Sequence, residues 1–249
     1  MMEIPVRMSS FVRLLAVAAA LALAGPAHAQ SARPPLADRF PGEPRPAAQP
    51  PATPPAAGAE VAPRRSPPAP PRVVVCGGVF AKDSSHLKLA TFFGSENLAW
   101  ADVDGPERSK IKASVLYPRD PRRRLEVLWN LEASRSDTQV IVINGQSTWL
   151  APKNLRLGLT LAALEKLNGR PFRLSGFDHE NGGMVQNWDG GALATLPGGC
   201  QLGVRLAPDP KAPQPARSEV LGDKPFASND PQMRAVQPKI VEILVGYPP

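Results

Sequence analysis

The sequence predicts an α+β fold over residues 73–249, in which two related helix-plus-antiparallel-sheet units form one exported domain. Three observations carry this expectation. Residues 1–29 have the layout of an export signal, and a proline-rich stretch sets them apart from the rest. The remainder then shows two capped helical segments, each followed by short β-rich runs bounded by turn residues.

The export signal is read from its parts. Arg7 and Arg13 precede an apolar run over 14–25, and Ala27-His28-Ala29 supplies the small-x-small pattern of a cleavage site. Cleavage after Ala29 is expected, and Met8 would serve equally well as the start. The run is too short for a spanning helix, so no membrane span is expected after cleavage; an uncleaved signal would act as an N-terminal anchor. The mature protein is expected to be periplasmic or secreted. Cytosolic nucleotides are scarce there, and Val75-Cys76-Gly77-Gly78 lacks the G-x-G-x-x-G spacing of a phosphate loop, so no cofactor is expected.

Residues 30–72 read as a disordered Pro/Ala-rich tail. About a third of its residues are proline and no apolar periodicity runs through it, so it buries too little to offset its ordering entropy. The net charge of +7 divides unevenly. Eight arginines and four acids fall before residue 73, leaving 21 of the 29 basic and 18 of the 22 acidic residues for the domain. A surplus of three does not make the concentrated basic face that nucleic-acid binding needs.

The domain's cysteines, Cys76 and Cys200, lie near its two ends. In an oxidising compartment an even count reads as one disulfide; a buried unpaired pair or a redox site are the alternatives, and the redox case lacks a C-x-x-C spacing.

The elements follow in order. Residues 73–75, a short β-branched run broken by Gly77-Gly78, are expected to form the first strand. Asp83, Ser84 and Ser85 offer cap oxygens to a helix over 87–93, which Gly94 ends. Strands are expected over 97–103 and 139–143, with a hairpin between them, 110–117 and 125–129, around Pro118-Arg119-Asp120-Pro121. Thr160 caps a helix over 161–167, and Asn168-Gly169 with Pro171 stops it. A strand over 172–177 is followed by a second expected hairpin, 184–188 and 192–196, around Asp189-Gly190-Gly191. Strands over 201–206 and 240–245 close the series.

Units of about 73–144 and 155–249 look like diverged copies. Ser85 and Thr160 each stand nine residues before a glycine, Gly94 and Gly169, and Leu89 aligns with Leu164, Phe92 with Leu167. Independent capped helices followed by hairpins are the alternative.

Leu157-Gly158-Leu159-Thr160-Leu161, Leu164-Glu165 and Leu167-Asn168-Gly169-Arg170-Pro171-Phe172 resemble a motif of uncharacterised exported bacterial proteins. The continuation Ser175-Gly176-Phe177, Gly182-Gly183, Trp188 and Gly190-Gly191 shares that resemblance. The layout is also similar to the tandem units of β-lactamase-inhibitor-like and small-protein-A-like envelope domains. The first resemblance implies no activity and the second only an architecture.

Chemistry has few places to live. Asp178, His179 and Glu180 make the densest polar cluster, yet adjacent residues of a strand face opposite ways, and no metal-ligand spacing accompanies them. No catalytic residue and no metal site is assigned. Ser147 lacks a nucleophile elbow, and two carboxylates in a loop are too common to mark a glycosidase. Packing between helix and sheet is the first reading of Trp100, Trp129, Trp149 and Trp188. Exposure as platforms for sugars or anchors for a protein is the alternative, for which Trp188 and Trp149 are the candidates. Arg122, Arg123 and Arg124 crowd the first hairpin turn together with Arg119, and arginine forks suit carboxylates and phosphates.

The function expected is therefore a non-enzymatic binding or inhibitory module of the envelope, whose target is a protein or an anionic glycan. A cell-wall or polysaccharide-binding role through Trp188, Asp178 and Glu180 is the alternative, with a glycan hydrolase behind it.

Overall fold

A computed structural model describes residues 72–248. The expected export signal and all but the last residue of the Pro/Ala-rich stretch lie outside the described residues. No described helix is long and apolar enough to cross a membrane.

Both anticipated helices form where their caps place them. In α1 (His86–Phe93) the Ser85 hydroxyl accepts from the Lys88 N–H at 3.2 Å, and Gly94 ends the helix at φ 87°. In α2 (Leu161–Asn168) Thr160 accepts from the Ala163 N–H at 3.3 Å, and Gly169 turns left-handed at φ 77°. Left-handed backbone is cheap only without a Cβ, which is why glycine stands at both exits.

Four strands follow α1: β1 (Leu98–Asp104), β2 (Lys110–Leu116), β3 (Leu125–Leu131) and β4 (Ser136–Ile143). After α2 come β5 (Arg173–Ser175), β6 (Val185–Asn187), β7 (Gln201–Ala207), α3 (Gln214–Glu219), β8 (Pro225–Ala227), α4 (Pro231–Ala235) and β9 (Lys239–Gly246). The molecule is a mixed α+β structure, rich in strand. Its main sheet is antiparallel with the order β1-β2-β3-β4-β9-β7, and a three-stranded sheet has the order β6-β5-β8. The two long strands of the second half thus extend the sheet of the first half.

One face of the main sheet carries the core. Leu116, Leu125, Val127, Ile141, Ile143, Ile243 and Val204 alternate onto it and pack with Leu89 and Phe93 of α1, Leu161 and Leu164 of α2, and Phe172 and Leu174. The opposite face carries a small cluster of Val103, Ala113 and Val115, then the ion pairs Arg124–Glu126 at 2.8 Å and Arg205–Glu242 at 2.9 Å.

The first expected hairpin is present, with Leu116 opposite Leu125. The second is not. β6 pairs with β5, while 192–196 forms turns rather than a strand. The reason is Asn168, buried at the end of α2. Its amide donates to the carbonyls of Trp188 and Arg170 at 3.0 and 2.9 Å and accepts from the Leu193 N–H at 3.2 Å. Those bonds fold the chain back on itself and take backbone groups that a returning strand would need. Residues 73–75 likewise reach only a single bridge, Val73 to Leu150, in place of a strand.

Cys76 and Cys200 are joined, their Cα atoms 5.6 Å apart across 124 residues of sequence. The bond ties the start of the domain to the start of β7.

Candidate functional site

The turn between β2 and β3 gathers four arginines, Arg119 and Arg122 to Arg124, on a backbone held by hydrogen bonds from another segment. Tyr117 enters it at φ 49°, and the Asp120 carboxylate accepts from the Arg122 N–H at 3.0 Å, closing an Asx turn. The next three carbonyls are all taken by residues 147–149. Thr148 donates to the Arg122 oxygen through its N–H and its hydroxyl, at 2.9 and 2.7 Å. The Trp149 indole donates to Arg123, and Ser147 to Arg124, each at 2.7 Å. The segment 147–149, between the two units expected from the sequence, is thus the clamp that holds the arginine turn.

The side chains on this clamped turn differ. Arg124 is spent on Glu126. Arg123 lies over the Tyr117 ring, its Cζ 3.5 Å from the ring centre, and its buried Nε has no hydrogen-bond partner. Arg119 and Arg122 are exposed, and among the described residues neither they nor Arg123 form an ion pair. An open cleft of about 570 Å³ adjoins the turn, lined by Leu98, Tyr117, Arg119 and Arg123 with Glu96 and Asp120. A second open cleft, about 410 Å³, lies where β2 and β3 diverge, beside Asp102, Lys112 and Trp129.

Of the residues singled out in the sequence, the arginines come together and the tryptophans do not join them at the surface. Trp149 is 1% exposed and Trp188 8%, as the packing reading expects, which corrects their candidacy as partner-binding platforms. Each indole N–H has found an acceptor inside, Arg123 O for Trp149 and Leu202 O at 3.1 Å for Trp188, so the whole ring can leave water. Trp188 packs on Phe172 at 5.2 Å, and Trp149 meets Phe80 and Phe93 edge-on. Sequence reasoning undervalued Trp100. It is half-buried on β1, with Arg135 at 4.9 Å over its ring and His86 edge-on at 6.3 Å. Its exposure follows from β1 being the sheet edge, which no local pattern reveals.

Asp178, His179 and Glu180 sit in the loop after β5, where the bonds come from backbone carbonyls of the loop and from the His179 ring rather than from the two carboxylates. The Glu180 carbonyl accepts from Arg205 at 2.9 Å, the Asn181 carbonyl from Ser175 at 2.6 Å, and the His179 ring pairs with the Gly176 carbonyl at 3.1 Å. The side chains of Asp178 and Glu180 stay in solvent. Among the described residues no group of three His, Cys, Asp or Glu approaches as a metal-ligand set.

A further polar cluster lies beneath α1. The Trp129 indole donates to the Ser114 hydroxyl at 2.8 Å, and that hydroxyl meets His86 Nδ1 at 2.7 Å. Because an indole only donates, the hydroxyl proton is left for Nδ1 of the neutral imidazole. Burial, and then the Arg135 charge, hold the His86 pKa below its usual 6.5. Ser114 is fully buried, so this serine–histidine pair offers no nucleophile to a substrate.

No protein-family model, curated protein or solved structure matches this chain.

Proposed function

We propose that this protein is an exported, non-enzymatic binding or inhibitory module, which meets a protein of the cell envelope through the 119–124 turn. The observation that carries the reading is the clamp. Three consecutive carbonyls are locked by 147–149, and the turn they shape presents Arg119, Arg122 and Arg123 without carboxylate partners. Fixing a turn in advance removes ordering entropy from a later encounter, and unpaired guanidinium groups on it select a carboxylate-bearing surface. The disulfide agrees with an oxidising compartment such as the periplasm.

The two halves are taken as diverged copies of one helix-plus-sheet unit, supported by the matching hydroxyl caps and glycine exits of α1 and α2. A polysaccharide partner draws less support, because the burial of Trp188 removes the platform beside Asp178 and Glu180.

The test is in vivo crosslinking in the native envelope, comparing the mature protein with a variant carrying Arg119→Glu, Arg122→Glu and Arg123→Glu. The expected result is a stoichiometric protein partner that the variant loses while keeping its melting temperature within a few degrees. An identical set of crosslinked proteins from both would overturn the assignment of the turn.

A further inference from the structure

The main sheet treats its two edges differently. The β7 edge is covered: Met184 bridges Arg205, and the Leu206 N–H donates to the Gly183 carbonyl at 2.9 Å. Nothing among the described residues pairs with the outer edge of β1, where the strand order begins. Its register with β2 decides which groups are left unpaired. Tyr117 N–H donates to the Asn97 carbonyl at 2.7 Å, and the Asn97–Tyr117 pair continues the pairing of Leu98 with Leu116. Hydrogen-bonded pairs alternate in an antiparallel ladder, so Ala99, Ala101 and Val103 bond to β2. Trp100, Asp102 and Asp104 therefore point their N–H and C=O groups outward, and Leu98 its C=O, its own N–H being bonded to the Ser95 carbonyl. Edge strands are usually blunted by lysine, proline or a bulge. β1 reads Leu-Ala-Trp-Ala-Asp-Val-Asp in unbroken register, with no lysine, proline or bulge, and its two charges, Asp102 and Asp104, lie in its last three residues.

We infer that this edge docks an extended peptide antiparallel to β1, whose C-terminal carboxylate ends at Arg119 and Arg123. The inference rests on the binding-module reading and names the kind of partner. Charge fixes the direction. The cleft at the Leu98 end holds Arg119 and Arg123, with Arg122 exposed on the same turn. Its two acids, Glu96 and Asp120, keep their charge while accepting from the Asn97 amide at 3.0 Å and the Arg122 N–H, and the three arginines outnumber them. The other end carries Asp102 and Asp104. Each pairs with a lysine of β2, Lys112 and Lys110, yet their side chains remain 56% and 90% exposed. An antiparallel peptide brings its carboxylate to the arginines and its upstream residues to the aspartates; a parallel one would set its ammonium against the arginines.

Register then gives the side-chain preferences. Leu98, Trp100, Asp102 and Asp104 share one face of the sheet, and ligand residues directly opposite them lie on that face too. With the last ligand residue opposite Leu98, the fifth and seventh residues from its C-terminus face Asp102 and Asp104 and favour lysine. The third faces Trp100 and favours an apolar side chain.

The probe is a fluorescein-labelled octapeptide, Thr-Lys-Thr-Lys-Thr-Val-Thr-Val, with a free C-terminus. It is measured by anisotropy against the mature chain, with amide exchange followed along β1. Binding is expected to protect the amides of Trp100, Asp102 and Asp104. Amidating the C-terminus should weaken it about tenfold, the scale of one lost charge-assisted hydrogen bond. Replacing both lysines by glutamate should weaken it further. Asp102→Pro removes one outward N–H without touching a β1–β2 hydrogen bond, and should abolish protection. Arg119→Glu, at an exposed position, should reproduce the effect of amidation in a chain of unchanged stability. Equal binding of the free and amidated peptides, or binding without β1 protection, would overturn the inference. Concentration-dependent protection of β1 with no peptide present would also overturn it, in favour of a second copy on the edge. Failure of the peptide while the crosslinked partner is still lost in the arginine variant leaves the binding-module reading standing; failure of both removes the two together.

Discussion

At the scale of single residues, this fold depends on a few buried polar groups that complete each other's hydrogen bonds. Asn168 was legible in the sequence only as a helix stop. Its side chain proves to organise 188–193, because a buried amide can satisfy a donor and two acceptors of a chain that turns around it. Asn168→Leu should cost about 3 kcal/mol in urea denaturation, by leaving several buried backbone groups unpaired. A loss under about 1 kcal/mol would show that water replaces the amide. His86 links stability to pH. Its folded form is the neutral imidazole, held below pKa 6.5 by burial and by Arg135, so the unfolded chain takes up the proton first as pH falls. The stability it contributes is full above pH 6.5 and is lost as pH drops through the folded-state pKa. Melting temperature measured from pH 8 to pH 5 should therefore fall on the acid side. His86→Asn, which keeps an acceptor for Ser114 but cannot titrate, should flatten that fall.

At the scale of elements, the caps were readable and the pairings only in part. Ser85, Thr160 and the glycines after both helices act within a few residues of chain, so local chemistry alone decides them. The β2–β3 hairpin was legible for the same reason. The short β8, α3 and α4 were not anticipated, because three to six residues carry too little periodicity to read. Close approach between elements is likewise invisible in sequence. Gly183 has φ 72°, and a Cβ there would come within 2.0 Å of the Leu206 carbonyl, so this glycine seats the loop after β5 against β7. Gly183→Ala should cost about 3 kcal/mol, the sum of left-handed strain and overpacking. Gly158→Ala, at φ 77° with open space around its Cβ, isolates the strain and should cost about 1 kcal/mol. Equal losses in chemical denaturation would mean that β7 moves aside at little cost.

At the scale of the whole molecule, the disulfide spans most of the domain. Chain-entropy arguments give a bridge across 124 residues about 4 to 5 kcal/mol. Cys76→Ser with Cys200→Ser should lower the urea midpoint accordingly, and reductant should have the same effect on the wild type but none on the variant. An unchanged midpoint would place the stability in the six-stranded sheet alone. The sequence by itself determined the helix caps, the even cysteine count and the α+β class, since each rests on composition or on contacts a few residues apart. Only the tertiary structure decided that β9 and β7 extend the sheet of the first half and that Trp149 and Trp188 are buried. It alone left β1 as the open edge beside Arg119 and Arg123. Those outcomes depend on which segments meet across long stretches of chain. Strand order and burial are settled by competition for one apolar face, a global contest to which no single segment holds the answer.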